Sequence, residues 1–398
     1  MRQKNRPRAV TRRELIGPLV VVSSVVLVDT VFYTALTPLL PHYVHHLGLS
    51  KASAGLLVAA YPIGTFLGAL PGGVLATRLG VRPAVLFGLA LMSASTLVFG
   101  FSSSPHVLEA FRFVQGLGGA CSWSGGLAWL AAAASPERRG SALGVAIGAA
   151  IIGAMLGPLV GTVASAVGTG PTFAAAAVFG ACLMAACLLL RKPLGGAPQT
   201  LRSALPALRD PSLAGGLWLT FLVGMAFGVV DVLAPLRLNV LGAGSALIGG
   251  TFFCSAAVEA GLSQVAGRVA DRKGRLAPVR VAVIAAIGVS VGAPLAQPVW
   301  VLVVLLVLGL AAFGTVFVPA AAMVSDGADR RRLHQGLAFG VSNLAWAGGQ
   351  GVAAASSGAI AEVTSDLVPY LVVAVCFAAT LLAVGRAGPR LAPAGSEA

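Results

Sequence analysis

The chain has 398 residues, of which 57% are hydrophobic and 10% charged, and its formal net charge is +14. That balance excludes a soluble single-core domain, because a chain this apolar takes lipid as its solvent. The positive charge does not indicate a nucleic-acid partner, since it falls in the breaks between apolar runs rather than on one face or tail.

A transmembrane helix needs roughly 20 apolar residues. Twelve such runs follow one another, centred near residues 28, 63, 94, 122, 152, 180, 225, 256, 288, 312, 348 and 377. Residues 1–13 form a basic N-terminal segment. The apolar run behind it extends from about Leu15 to Pro41 without a small-residue cleavage site, so it is the first span rather than a signal peptide. Residues 14–190 then hold six spans, 191–213 a Pro-, Gly- and Arg-containing linker, 214–386 six more spans, and 387–398 a tail. With the N-terminus inside, 24 of the 27 Lys and Arg residues fall in cytoplasmic segments; Lys51, Arg237 and Arg112 are the rest. The positive-inside rule therefore predicts cytoplasmic termini. The five cysteines lie inside spans without a CxxC pair and behave as small hydrophobes, so no metal site or cofactor is expected.

The two sets of spans are related. An offset of 194 brings Pro41 onto Pro235, Gly48 onto Gly242, Gly55 onto Gly249, Gly73 onto Gly267 and Gly80 onto Gly274. An offset of 196 brings Gly140 and Gly144 onto Gly336 and Gly340. Two related six-helix halves facing each other across a bilayer are the physical basis of alternating access. The expectation is an all-α membrane protein, with twelve transmembrane helices in two pseudo-symmetric six-helix bundles.

An ionisable side chain near the bilayer centre costs about 2.5–3.5 kcal/mol on insertion scales, so each one needs a reason. Asp29 lies near the midplane of span 1, and helical spacing puts Tyr33 and Thr37 on its face, lining an aqueous cavity. Arg112 enters span 4 in its outer half, with Gln115 one turn on and Trp123 on an adjoining face; by depth, Asp29 is its nearest carboxylate. Asp231 lies toward the external end of span 7, either lining the cavity or snorkelled to water. Glu259 sits near the middle of span 8, with Ser255 and Ser263 one turn either side. In span 11, Asn343, Trp346 and Gln350 make a polar–aromatic face suited to cargo or to interhelical hydrogen bonds. Asp29, Arg112 and Glu259 are the candidates for proton coupling. Asp29, Tyr33, Trp123, Asp231, Asn343 and Trp346 are the candidates for a substrate cavity. His42 and His46 have the i,i+4 spacing of a metal pair, but with no third ligand nearby they read as an exposed face.

Several motifs together make the chain resemble the major facilitator superfamily, and within it the twelve-span drug:proton antiporters. In span 5, Gly144, Gly153, Gly157–Pro158 and Gly161 follow the antiporter motif, with Thr162 in place of its last glycine. A Gly–Pro kink flanked by small residues gives a bendable helix, expected to pack across the interface between the halves. In span 1, Asp29 stands nine residues before Pro38-Leu-Leu-Pro41, and span 4 carries Arg112-x-x-Gln115-Gly116, a pattern the family associates with proton coupling. The family's cytoplasmic gate loop appears twice, as Gly73-Val-Leu-Ala-Thr77-Arg78-Leu-Gly80 and as Gly267-Arg-Val-Ala-Asp271-Arg272-Lys-Gly274. The first copy has Thr77 where the family has Asp; its hydroxyl can cap a helix but carries no charge, which predicts a weaker latch.

The resemblance implies a monomeric, multi-pass protein of the cell membrane that exchanges protons for small amphipathic, cationic organic compounds. An importer or facilitator of a sugar or carboxylate on the same fold is the competing reading, opposed by the span 5 motif. No nucleophile, ligand cluster or phosphate loop points to an enzyme.

Overall fold

In the computed structural model, residues 12–134, 136–190, 206–273, 276–333 and 335–386 are described. The N-terminal segment to residue 11, most of the linker, Gly274 of the second gate loop and the tail lie outside them. The bilayer offers no hydrogen-bond partners, so each crossing segment satisfies its backbone internally, as a helix. The first crossing is broken: α1 (Arg12–Thr34) gives way to a 3-10 turn at Thr37–Leu39 and then to α2 (Leu40–Leu47). Pro38 and Pro41 remove the amide protons that would continue α1. Gly48, left-handed at φ 61°, closes α2, and its repeat mate Gly242 is also left-handed, at φ 90°.

The other eleven crossings are α3 (Lys51–Arg78), α4 (Val81–Phe101), α5 (Pro105–Ala133), α6 (Pro136–Val167), α7 (Thr169–Leu189), α8 (Pro211–Val240), α9 (Ser245–Lys273), α10 (Leu276–Gly292), α11 (Val299–Arg330), α12 (Gln335–Val363) and α13 (Leu367–Arg386). Nine of the twelve are long and apolar enough, over their described residues, to cross a membrane by composition alone. Two of the remaining three, α5 and α12, are rich in Gly and Ser and pack heavily against neighbouring helices, α5 on α3 and α4, α12 on α8 and α3. Such helices need less apolar surface than lipid-facing ones.

Packing follows the repeat. In the first half α1 packs on α6, α3 on α5 and α4 on α7; in the second α8 packs on α12, α9 on α11 and α10 on α13. The halves meet where α3 packs on α12 and α6 on α9. These four helices touch at the end opposite the termini, called distal below. There Gly55 lies against Ala354 and Gly358, and Gly249 against Pro158 and Thr162. At the other end no described hydrogen bond or glycine contact joins the halves, and a Cβ added at Gly73, Gly144, Gly267 or Gly340 would meet nothing within 4 Å. The bundle is closed distally and spread at the end carrying the termini.

The span 5 glycines do not pack across the halves. Gly153, Gly157 and Gly161 recur every four residues and abut Leu27, Val31 and Ala35 of the same half, also four apart, so that α6 lies on the backbone of α1. The contacts that cross to α9 come from Pro158, whose carbonyl faces Gly249, and from Thr162, whose hydroxyl lies 3.2 Å from the Ser245 carbonyl. Thr77 also departs from expectation. It sits in the last turn of α3 and donates to the Val74 carbonyl 2.9 Å away, while Gly80 (φ 100°) precedes α4 without a side-chain cap.

Candidate functional site

The polar residues of α1, α3, α5, α8 and α12 converge at mid-height. Asp29 on α1 is 3% exposed. One carboxylate oxygen accepts from the Tyr61 hydroxyl of α3 and the other from the Trp123 indole of α5, both at 2.7 Å. Gly119 of α5 makes the room: a Cβ there would stand 2.5 Å from the carboxylate. Both donors are neutral, so the side chain is held in place without an ion pair.

Arg112, also 3% exposed, does not hydrogen-bond Asp29. Its guanidinium donates to the carbonyls of Phe32 (2.9 Å) and Tyr33 (2.5 Å) and to Gln115 Oε1 (2.6 Å). Gln115 in turn donates to Thr96 of α4 at 2.7 Å. The break in α1 explains the choice. Its last carbonyls lose their amide partners at the proline-rich turn, and the negative end of the helix attracts a cation. The same break ends the stripe expected through Asp29, Tyr33 and Thr37, because Thr37 lies in the 3-10 turn, beyond the end of α1. Arg112 also lies 5.0 Å from the centroid of the Tyr61 ring and 5.8 Å from that of Tyr33.

Tyr33 carries the site across the interface. Its hydroxyl donates to Asp231 of α8 at 2.7 Å. Gln350 of α12 donates to the same carboxylate oxygen at 3.0 Å and also contacts the Tyr33 hydroxyl. The Tyr33 ring lies 5.0 Å from Tyr61 and meets Trp346 edge-on at 5.8 Å. Asp231 is thus part of the cluster and not a group snorkelled to water. Two carboxylates, one from each half, share an aromatic lining of Tyr33, Tyr61, Trp123 and Trp346.

The remaining candidates lie elsewhere. Glu259 rests against Gly314 of α11, inside the second half, and makes no described hydrogen bond with the cluster. Asn343 is half-buried on α12, about two turns from Gln350 toward the termini. Of the gate-loop residues, Arg78 and Arg272 are exposed at the spread end, and Asp271 lies in the last turn of α9. Sequence reasoning missed Tyr61 and left Gln350 undecided. The signal for Tyr61 was thin: one of four tyrosines, next to Pro62 in an apolar run.

Comparison with known proteins fits this architecture. Residues 22–354 match the family model described as Major Facilitator Superfamily. The multidrug resistance protein MdtL of Shewanella oneidensis is 27% identical over 201 residues, covering 50% of this chain and 51% of MdtL. The quinolone resistance protein NorA of Staphylococcus aureus is 36% identical over 80 residues, covering 20% of this chain and 21% of NorA. The chain thus matches about half the length of one curated relative and a fifth of the other. In fold it is similar to an inward-facing, occupied bacterial homologue of the human lysosomal transporter Spinster (TM-score 0.74, 17% identity, 94% and 98% of the two chains). It is also similar to the nucleoside transporter NupG (TM-score 0.72, 13% identity, 93% and 99%).

Proposed function

Because the chain belongs to the major facilitator superfamily, a family of transporters rather than enzymes, we propose that it exports small amphipathic organic cations in exchange for protons. The observation that carries this reading is Asp29: a carboxylate deep in the membrane, bonded only to neutral donors and set among aromatic rings. An ionised carboxylate so placed attracts a cation, and aromatic faces add cation–π attraction and apolar contact. A proton or a cationic cargo can neutralise it, and competition between the two is the chemical requirement for exchange. The resistance activities named for MdtL and NorA support the outward direction.

The basic residues at the end carrying the termini favour a cytoplasmic location for that end. The spread end is then the cytoplasmic mouth, and the closed arrangement is the loading state of a monomer in the cell membrane. Cargo enters between the halves and meets Asp29, Tyr33, Trp123, Asp231 and Trp346, with Asn343 on the way in. Arg112 fixes the broken end of α1, and with it Asp29 and Tyr33. Glu259 offers a further carboxylate for proton transfer in the second half. The loops at Gly73–Gly80 and Gly267–Gly274 close the mouth when the halves rock. In one-for-one exchange with a monovalent cation the two charges cancel, so the drive is the pH difference, about 1.4 kcal/mol and a tenfold cargo gradient per pH unit.

The test uses everted vesicles carrying a preformed pH gradient reported by a quenched dye. Cationic compounds are expected to collapse the gradient with the wild-type protein and not with Asp29→Asn, while neutral and anionic compounds leave it intact. Collapse that survives in Asp29→Asn, or that anions evoke equally, overturns the reading.

A further inference from the structure

The distal closure contains titratable groups that the central cavity does not use. At the α3/α12 seam the second half grips the start of α3. Glu362, in the last turn of α12, accepts the Ala52 amide proton at 2.8 Å, and Asp366 just beyond pairs with Lys51 at 2.5 Å. The first amides of a helix have no partner within it. Ser50 satisfies one by accepting from Ser53, and Glu362 satisfies another from across the interface. The helices come this close because Gly55 and Gly358 face each other at the crossing, where a Cβ on Gly358 would stand 3.2 Å from the Gly55 Cα.

The field acting on Glu362 differs between conformations. On its own helix it sits at the negative C-terminal end, which disfavours a carboxylate; across the closed seam it sits at the positive N-terminal end of α3, which favours one. Opening removes the favourable field and leaves the unfavourable one. A ligand shifts a two-state equilibrium only through its differential affinity for the two states, and here the proton binds more tightly when the seam is open. The facing groups are few. Glu362 meets Lys51 and Ser50 of α3, and Asp366 meets Lys51 and, on α13, Tyr370. The α2 histidines are engaged elsewhere, His45 with Asn239 and His42 stacked on His46. Lys51 and Asp366 are 41% and 24% exposed, so water reaches the clasp.

We infer that Glu362, beside the Lys51–Asp366 pair, forms a second site of proton action, outside the central cavity, at which acid on the distal side releases the α3/α12 seam and promotes distal opening. The inference rests on alternating access between the two halves, not on the identity of the cargo.

The test measures distances between nitroxide pairs in the full-length protein in lipid nanodiscs without cargo, after replacement of the native cysteines. Ser103 and Ser365 report on the α3/α12 side, Val167 and Ala246 on the α6/α9 side. Lowering the pH from 8 to 4.5 is expected to raise the distal-open population at the first pair by at least about threefold, the scale of an exposed ion pair. The combined Glu362→Gln and Asp366→Asn variant is expected to sit near the acid value at every pH, whereas Asp29→Asn, in which the central carboxylate cannot titrate, still opens on acidification. High salt at pH 8 is expected to mimic acid partially in the wild type, a readout that needs no variant to fold. A double variant that retains the full pH response, or a response that disappears in Asp29→Asn, overturns the inference.

Discussion

The two seams that close the distal end stand on repeat-related backbone and differ in chemistry. The offset of 194 that pairs Gly55 with Gly249 also pairs Lys51 with Ser245, and the offset of 196 pairs Thr162 with Gly358. In one seam the Lys51 carbonyl meets Gly358; in the other the Ser245 carbonyl meets the Thr162 hydroxyl. Around these matched contacts the α3/α12 seam carries Lys51, Glu362 and Asp366, while the described polar contacts of the α6/α9 seam are made by hydroxyls, including Ser165 and Ser245 at 2.7 Å. A shared backbone crossing thus serves two kinds of closure. Ionic contacts respond to pH and salt, whereas neutral hydrogen bonds in this range do not. The α6/α9 seam is suited to act as a hinge and the α3/α12 seam as a latch.

The strongest way to break this comparison is steric. Gly358→Leu puts a side chain where the Lys51 carbonyl lies. Overpacking of that kind costs about 1–3 kcal/mol, so the variant is expected to hold the α3/α12 side open at every pH and to lose transport. Spin-label distances and vesicle assays would both register it, and an unchanged Ser103–Ser365 distance would show that the crossing is softer than its geometry implies.

A smaller change sharpens the contrast. Thr162→Ala removes one hydroxyl from the neutral seam and is expected to cost about 1 kcal/mol, raising the distal-open population roughly fivefold without altering its pH or salt dependence. A pH dependence that weakened with this substitution would mean that the seams do not act separately.

The smallest effect is expected from a charged helix cap that joins no halves. Asp210 caps α8, accepting from the amides of Ser212 and Leu213, and is held by Arg330 through two bonds of 2.8 and 3.1 Å. The Arg330 side chain beside it holds its carboxyl below the usual carboxylate range. The contribution to stability is therefore full above the unfolded-state value of about 3.9 and is lost as pH falls through the lower folded one. Asp210→Asn, which keeps a cap but removes the charge facing the half-exposed Arg330, is expected to lower thermal stability by about 0.5 kcal/mol at neutral pH and to leave both distal distances unchanged. A shift in either distance would connect this cap to the gate.

Much of the fold was legible because the bilayer imposes one rule on every segment: a run of apolar residues about 20 long forms a helix. That rule, with the glycine and proline repeat, gave twelve crossings, two related halves and the positions of Asp29 and Arg112 within their spans, and left Asp231 open between the cavity and water. What the one-dimensional pattern left open is which face meets which partner. Arg112 was matched to Asp29 by depth, yet it caps the carbonyls of Phe32 and Tyr33 because the break in α1 leaves them without amides. The span 5 glycines were assigned to the interface between halves, yet they lie on α1, and the crossing to α9 is made beside them by Pro158, Thr162 and Ser165. Tyr61, Gln350, Glu362 and Asp366 gained their roles only from neighbours 32 to 317 positions away in the chain. Helix formation in lipid is a local decision that residue type can make alone, whereas the pairing of polar groups is settled by which helices lie side by side, and only the packed bundle determines that.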